Sequence, residues 1–306
     1  MYDIIVVGGG PAGLVAALYS RRANKSVLVI EKETFGGQIT FSPKVENIPG
    51  FTELTGSEFA EKLVDQVINQ GADFESAVVT RIRKGEFFTV ETDIGEFYAK
   101  TVIIATGAKH RRLGVKGEEK YIGDGISFCA VCDGAFYKDK IVGVVGGGNS
   151  ALQEALLLSE LARRVYVIQN LSFLTGEKQL CNQLKAKDNV RVLTDRTVYS
   201  FLGEKAFEGV VLRNEAEGEE NGELTELPLD GLFVAIGLIP QNEQFEDIVS
   251  LDQNGYIVSD ENCLTDASGI FVAGDCRTKK VRQVTTATAD GASAAIAACD
   301  YIDKLK

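Results

Sequence analysis

The chain has 306 residues, enough for two domains of ordinary size with a core each. Its 45% hydrophobic and 25% charged residues suit a soluble globular protein, and a net charge of −12 argues against nucleic acid as a partner. Six cysteines are too few for a disulfide-stapled secreted fold, and no apolar run approaches the roughly 18 residues of a membrane span; no membrane partner is expected, and the cytoplasm is the expected compartment.

Met1 leads directly into the apolar run "IIVV", with no basic region or cleavage site. The segment "YDIIVVGGGPAGLVAALYS" predicts a strand, the turn Gly8-x-Gly10-x-x-Gly13 and a helix, and "SVLVIE" predicts a second strand ending at Glu31. The alternating stretch "EFFTVETDIGEFYAK" predicts antiparallel strands, and "TVIIATGA" (101–108) predicts a buried closing strand. A basic run from Lys109 to Arg112 follows; it reads as solvated surface or, alternatively, a docking surface for an acidic protein, and its sole histidine, His110, reads as a surface residue with a base role as the alternative.

The pattern then repeats. "KIVGVVGGGNSALQEALLLSE" carries Gly146-x-Gly148-x-x-Ala151, and "RVYVIQ" ends at Gln169. From the first glycine to the end of the second strand there are 23 residues in both copies, Gly8 to Glu31 and Gly146 to Gln169. The acidic stretch "NEAEGEENGE" (214–223) reads as an exposed hairpin tip, and "GLFVAIGL" (231–238) closes the second unit. A last block holds "GIFVAGDC", a short basic patch from Arg277 to Arg282, and the helical pattern "TTATADGASAAIAACDYI".

Strand, glycine turn, helix and second strand, twice over at equal spacing, specify two dinucleotide-binding units. One glycine makes the tight turn, the next lets the backbone approach a pyrophosphate, and the last lets helix pack on strand. The expected fold is therefore α/β: two Rossmann-like three-layer domains, the second inserted into the first. The boundaries fall near residues 113 and 244, giving 1–113 with 244–306 as one domain and 114–243 as the other.

Glu31 is placed to accept hydrogen bonds from ribose hydroxyls and to repel a 2′-phosphate, which suits FAD or NAD in the first unit. Asp275, in "AGD" after an apolar strand, is a candidate for a sugar-alcohol chain. Cys129-Ala-Val-Cys132 lies just before the second glycine loop; zinc would need two further ligands that the chain does not offer, so a redox dithiol is expected. Asp133 is a candidate acid/base for thiol exchange or, alternatively, a helix-capping residue. Cys181, Cys263, Cys276 and Cys299 are scattered and read as small buried hydrophobes. No metal site is expected. A dithiol beside a flavin unit and a further nucleotide unit implies a flavin-dependent disulfide oxidoreductase.

With "GGGPAG", "GGQI", "VENIPGF", "ATGA", "CAVCDGAFY", "GGGNSALQEALLL", "LFVAIG", "AGD" and "VRQVTTATADG", the sequence resembles bacterial low-molecular-weight thioredoxin reductases over nearly all of its 306 residues. A CxxC in the second unit sets this family apart from the glutathione reductase branch. The resemblance implies a homodimer acting on thioredoxin, with FAD held by the first and last blocks and a large rotation of the inserted domain. It implies a flavin site of Gly8, Gly10, Gly13, Glu31, Gly37, Gln38, Asn47, Gly274, Asp275, Arg282 and Gln283. It also implies that Cys132 faces the flavin, Cys129 attacks thioredoxin and Asp133 is the acid/base.

One stretch departs from the family. NADPH-using members continue the second strand into an arginine pair that clamps the 2′-phosphate. This chain has Gln169, Asn170 and Leu171 there, followed by "SFLTGE". Two lost charge-assisted bonds would cost about 3–6 kcal/mol of NADPH preference. NADH could bind through Gly146, Gly148, Ala151 and Gln169; NADPH could still bind through Arg163 or Arg164; or the donor is a protein such as ferredoxin. A ferredoxin–NADP reductase-like flavoprotein would lack the CxxC. A non-catalytic flavin–thiol sensor is the remaining alternative.

Overall fold

The computed structural model describes residues 1–42, 45–216 and 222–305. The chain divides into two compact units, Met1–Lys109 with Ile239–Lys306, and His110–Leu238. These limits lie a few residues upstream of those expected near 113 and 244, because the short strands Ala108–His110 and Leu238–Pro240 fall at the crossovers.

In the first unit, strand β1 (Tyr2–Val7) runs into helix α1 (Pro11–Arg22) and strand β2 (Val27–Glu31). Helix α2 (Gly56–Asn69) follows, started by a capping box in which Thr55 Oγ1 accepts from Glu58 N–H and Glu58 Oε2 accepts from Thr55 N–H. The strands β3 (Asp73–Ser76), β4 (Val79–Lys84), β5 (Phe88–Thr92) and β6 (Gly95–Ile104) complete this run. β3, β2, β1 and β6 are parallel neighbours in that order, and the strand Ile270–Val272, from the end of the chain, joins the far edge of β6 in parallel. Ile4, Ile5, Val6 and Val7 are all buried, as a parallel strand covered on both faces requires.

β6 does two jobs that the sequence divided between two strands. Its first half, Gly95–Ala99, pairs antiparallel with β5, and its second half, Val102–Ile104, pairs with Ile270–Val272. α1 and the C-terminal helix Val284–Lys304 cover one face of the parallel sheet, with Leu14, Ala16, Ala17, Ala294, Ala295 and Ala298 fully buried between them. The opposite core joins Ile5, Leu28 and Ile104 to Phe88, Val90, Phe245 and Ile257. The first unit is thus three-layered and cannot be completed without residues beyond 239.

The second unit has the same plan. Its parallel sheet has the order Val190–Leu193, Arg164–Ile168, Ile141–Val145, Gly231–Val234, Ile126–Ser127. Helices Asn149–Ser159 and Lys178–Lys185 pack on one face, and the antiparallel strands Arg196–Leu202, Gly209–Asn214 and Leu224–Pro228 cover the other. The acidic stretch expected as a hairpin tip joins the last two strands, but its residues 217–221 lie outside the described residues. Among the described residues no helix is long and apolar enough to cross a membrane.

Candidate functional site

Each unit builds its glycine turn in the same way. Gly8 has φ +111° and Gly146 has φ +133°, backbone that side chains rarely adopt. A Cβ at Gly8 would run into the Ala105 carbonyl oxygen, and one at Gly146 would sit 2.5 Å from that of Ala235. The third position differs for a steric reason. At Gly13 a Cβ would collide with the Gly8 carbonyl, whereas the second unit accommodates the fully buried methyl of Ala151.

In the first unit, Gly10 precedes α1 with no side-chain cap on its amides, and a Cβ there would find its nearest neighbour only at 4.0 Å. That is open backbone at a helix N-terminus, which suits a pyrophosphate. Glu31 Oε2 accepts from Gly9 N–H at 2.7 Å and Oε1 from Glu33 N–H at 2.8 Å, which fixes the carboxylate and leaves lone pairs for ribose hydroxyls. Gly37 passes close to Gly10, and Gln38 donates to the Ala108 carbonyl. Asn47 donates to Gln283 Oε1 at 3.2 Å.

Asp275 follows the strand Ile270–Val272 and Gly274, and its Oδ1 is buried with no partner. Burial raises its pKa, against the charges of Lys279 and Arg282. Arg282 stacks 4.2 Å from the Tyr256 ring and donates to the Asp275 carbonyl. An open phosphate turn, a fixed ribose carboxylate and an orphaned carboxylate oxygen fit FAD, whose pyrophosphate, ribose and ribitol need those three things.

Behind this cradle lies a group the sequence reading missed. Asp290, in the C-terminal helix, takes a bidentate pair from Arg277 at 2.8 Å, a bond from Lys279 Nζ at 2.8 Å and one from Gly274 N–H at 3.0 Å. Burial alone would raise its pKa, but these cations hold it below the usual range. The four members are brought together only by the fold, so only the basic patch was visible beforehand.

In the second unit, Cys129 and Cys132 form a disulfide with Cα atoms 5.3 Å apart, flanking the helical turn Ala130–Asp133. Asp133 does not cap a helix with its side chain, which settles that alternative. Its Oδ2 accepts from Ser127 Oγ at 2.6 Å, and its Oδ1 is buried without a partner. The same Ser127 oxygen accepts from Cys129 N–H at 3.1 Å, tying the carboxyl to the dithiol. Burial raises the Asp133 pKa, with Ser127 opposing.

His110, expected as solvated surface, is half-buried. It stacks on Phe128 at 4.9 Å, and Arg112 lies 5.6 Å from the same ring. Burial, then the Arg112 charge, pushes its pKa down to about 4, which leaves the imidazole neutral and a weak base near pH 7. Of the scattered cysteines, Cys263, Cys276 and Cys299 are buried, whereas Cys181 is half-exposed because its helix lies at the edge of the unit's core.

Gln169 ends the strand Arg164–Ile168 and is 5% exposed, with its amide packed over Gly147. Its Nε2 donates to the Phe173 carbonyl at 3.1 Å, and Thr175 and Gly176 N–H both donate to the Gly147 carbonyl at 2.8 Å. The selector position is thus a neutral, self-bonded amide. Arg164 and its neighbour Arg163 lie at the other end of this strand. Arg164 pairs with Ile141, at the strand edge opposite Gly146, about 13 Å from Ile168 at 3.3 Å per residue. Arg196 adjoins Gln169 through the backbone, but its guanidinium is bound to Asn214 and the Asp195 carbonyl.

Residues 2–291 match the pyridine nucleotide-disulphide oxidoreductase family. The chain belongs to that family. A thioredoxin reductase of Treponema pallidum is 41% identical over 307 residues, covering 100% of this chain and 98% of the relative. That of Bacillus subtilis is 39% identical over 310 residues, covering 100% and 96%. The crystal structure of thioredoxin reductase from Streptococcus pyogenes superposes with a TM-score of 0.93 at 38% identity, covering 99% of each chain.

Proposed function

We propose that this family member is a thioredoxin-disulfide reductase in which Cys129 and Cys132 are the exchanging thiols and Asp133 the acid/base. The observation that carries the reading is the Cys129–Cys132 disulfide with a buried carboxyl bound to it through Ser127. FAD, when bound, supplies the two-electron link between an external donor and a dithiol. Gly8, Gly10 and Gly13 shape the pyrophosphate turn; Glu31 accepts from ribose and Asp275 from ribitol. Gly37, Gln38, Asn47, Gly274, Arg282 and Gln283 complete the cradle.

In the exchange, the Cys129 thiolate attacks the partner's disulfide and one partner sulfur leaves. Cys132 then attacks Cys129, the Cys129–Cys132 bond re-forms and the second partner sulfur leaves. Two electrons and two thiol protons end on the partner, with Asp133 handing protons to departing thiolates. Relatives named thioredoxin reductase support thioredoxin as that partner. The family resemblance supports a homodimer.

For the donor, the intact turn at Gly146, Gly148 and Ala151 and the uncharged Gln169 favour a nicotinamide nucleotide that is not selected by its 2′-phosphate, with NADH used at least as well as NADPH. Anaerobic mixing of the holoenzyme with NADH, NADPH and reduced ferredoxin, following loss of oxidised flavin absorbance, tests this. A strong preference for NADPH would overturn it. Reduction by ferredoxin alone would make the donor a protein.

A further inference from the structure

The helix Asn149–Ser159 buries Ala151, Leu152, Ala155 and Leu158. Glu154 lies on that same stripe, three residues after Ala151 and four before Leu158, where an apolar side chain is expected. The helix packs directly on the turn Ala130–Asp133 that carries the dithiol. Glu154 Oε2 is buried without a partner, as is Asp133 Oδ1. Two carboxyls, each with an orphaned oxygen, thus adjoin one disulfide. Burying such oxygens uncompensated is costly, and a proton on one carboxyl supplies a missing donor.

We propose that Glu154 is a positioning residue for the dithiol exchange, its buried carboxyl setting how firmly the nearby Asp133 holds the proton used at Cys129 and Cys132. The inference deepens the reductase reading and rests on it for its catalytic meaning. Burial, then the Asp133 charge, raises the Glu154 pKa to about 7, against the Ala130 amide, which favours the ionised form. Tyr137, on the neighbouring turn, is pushed up to about 12 and stays neutral. Other ionisable groups on elements packed against this helix are Lys178 and Lys185, both exposed, and the half-buried Arg164, Tyr166 and Cys181. When Glu154 ionises, its charge opposes ionisation of Asp133, so Asp133 keeps its proton to higher pH than it would beside a neutral side chain. Asp133 takes a proton from Cys132 as its thiolate forms and gives it to the partner's departing sulfur. Each cycle therefore leaves the protonation of Asp133 unchanged.

The test compares the parent holoenzyme with Glu154→Gln and Asp133→Asn by two readouts. Infrared titration of the resting disulfide form should show a protonated carboxyl band lost with a midpoint of about 7 in the parent and absent from Glu154→Gln. In the pH profile of kcat/KM for thioredoxin disulfide, the alkaline limb of Glu154→Gln should move acid by about one unit. Activity at neutral pH then falls about tenfold while the acid plateau is unchanged. Superimposable profiles, or the same band in Glu154→Gln, would overturn the proposal. A parent without thioredoxin reductase activity would defeat the reductase reading instead, and the infrared titration would still decide whether Glu154 holds the proton. Should Glu154→Gln not fold, the parent with isotope-labelled glutamate serves, and no glutamate titrating near neutrality would reject the idea.

Discussion

Asp290 sits inside the C-terminal helix with both oxygens bound by cations from a single short segment, Arg277 and Lys279. Removing the carboxylate strands two buried positive charges. Asp290→Ala should therefore destabilise the fold by about 3–5 kcal/mol, read as a shift in the denaturant midpoint. Its folded pKa is depressed, so this stability is present above the ordinary value of 3.8 and is lost as pH falls below it. His110 acts in a higher window. Its folded pKa of about 4, against 6.5, means that stability present above pH 6.5 is lost on acidification toward 4. At pH 5 that loss is about 2 kcal/mol. Glu154, with its pKa raised, has the opposite sign, so the parent's own pH curve mixes the two. The clean measurement is the stability difference between parent and His110→Phe, which should change by about 2 kcal/mol between pH 8 and pH 5. Asp133→Asn should lower disulfide turnover by about 10²-fold or more in steady-state assays, with flavin content unchanged.

At the scale of elements, the two glycine turns make a matched pair with different tolerance. Gly13→Ala forces a methyl into the Gly8 carbonyl and should yield protein with little bound flavin, seen in the visible spectrum after purification. Ala151→Gly in the second unit removes only a buried methyl and should leave flavin content unchanged. The helix that closes the first unit is equally close-fitting, since a Cβ at Gly291 would strike the Ala12 carbonyl of α1. These turns were legible in the sequence because glycine spacing, strand and helix are local signals. β6 was not, because an antiparallel edge and a parallel edge on one strand are set by partners far along the chain. Glu154 left a trace, an acid on an apolar stripe, whereas Asp290 left none, because the fold alone brings Arg277 and Lys279 to it. His110 was misread because a basic run predicts solvation and says nothing of the Phe128 ring it stacks on.

At the scale of the whole molecule, the interleaved order of the chain follows from what each sheet lacks. The first unit borrows Ile270–Val272 and the C-terminal helix, and the second needs nothing from outside His110–Leu238 for its sheets. The glycine repeats gave reason to expect two units, and Gln169, Asn170 and Leu171 gave reason to expect no arginine clamp after the second strand. In the structure Gln169 is bonded to its own loop, and Arg164 lies at the other end of its strand. The central claim, that electrons leave this protein through Cys129 and Cys132, is tested most directly by thioredoxin-disulfide turnover of flavin-loaded Cys132→Ser beside the parent. The account predicts that the variant binds flavin normally and reduces no disulfide above background. A Cys132→Ser enzyme that retains the parent's turnover would contradict it.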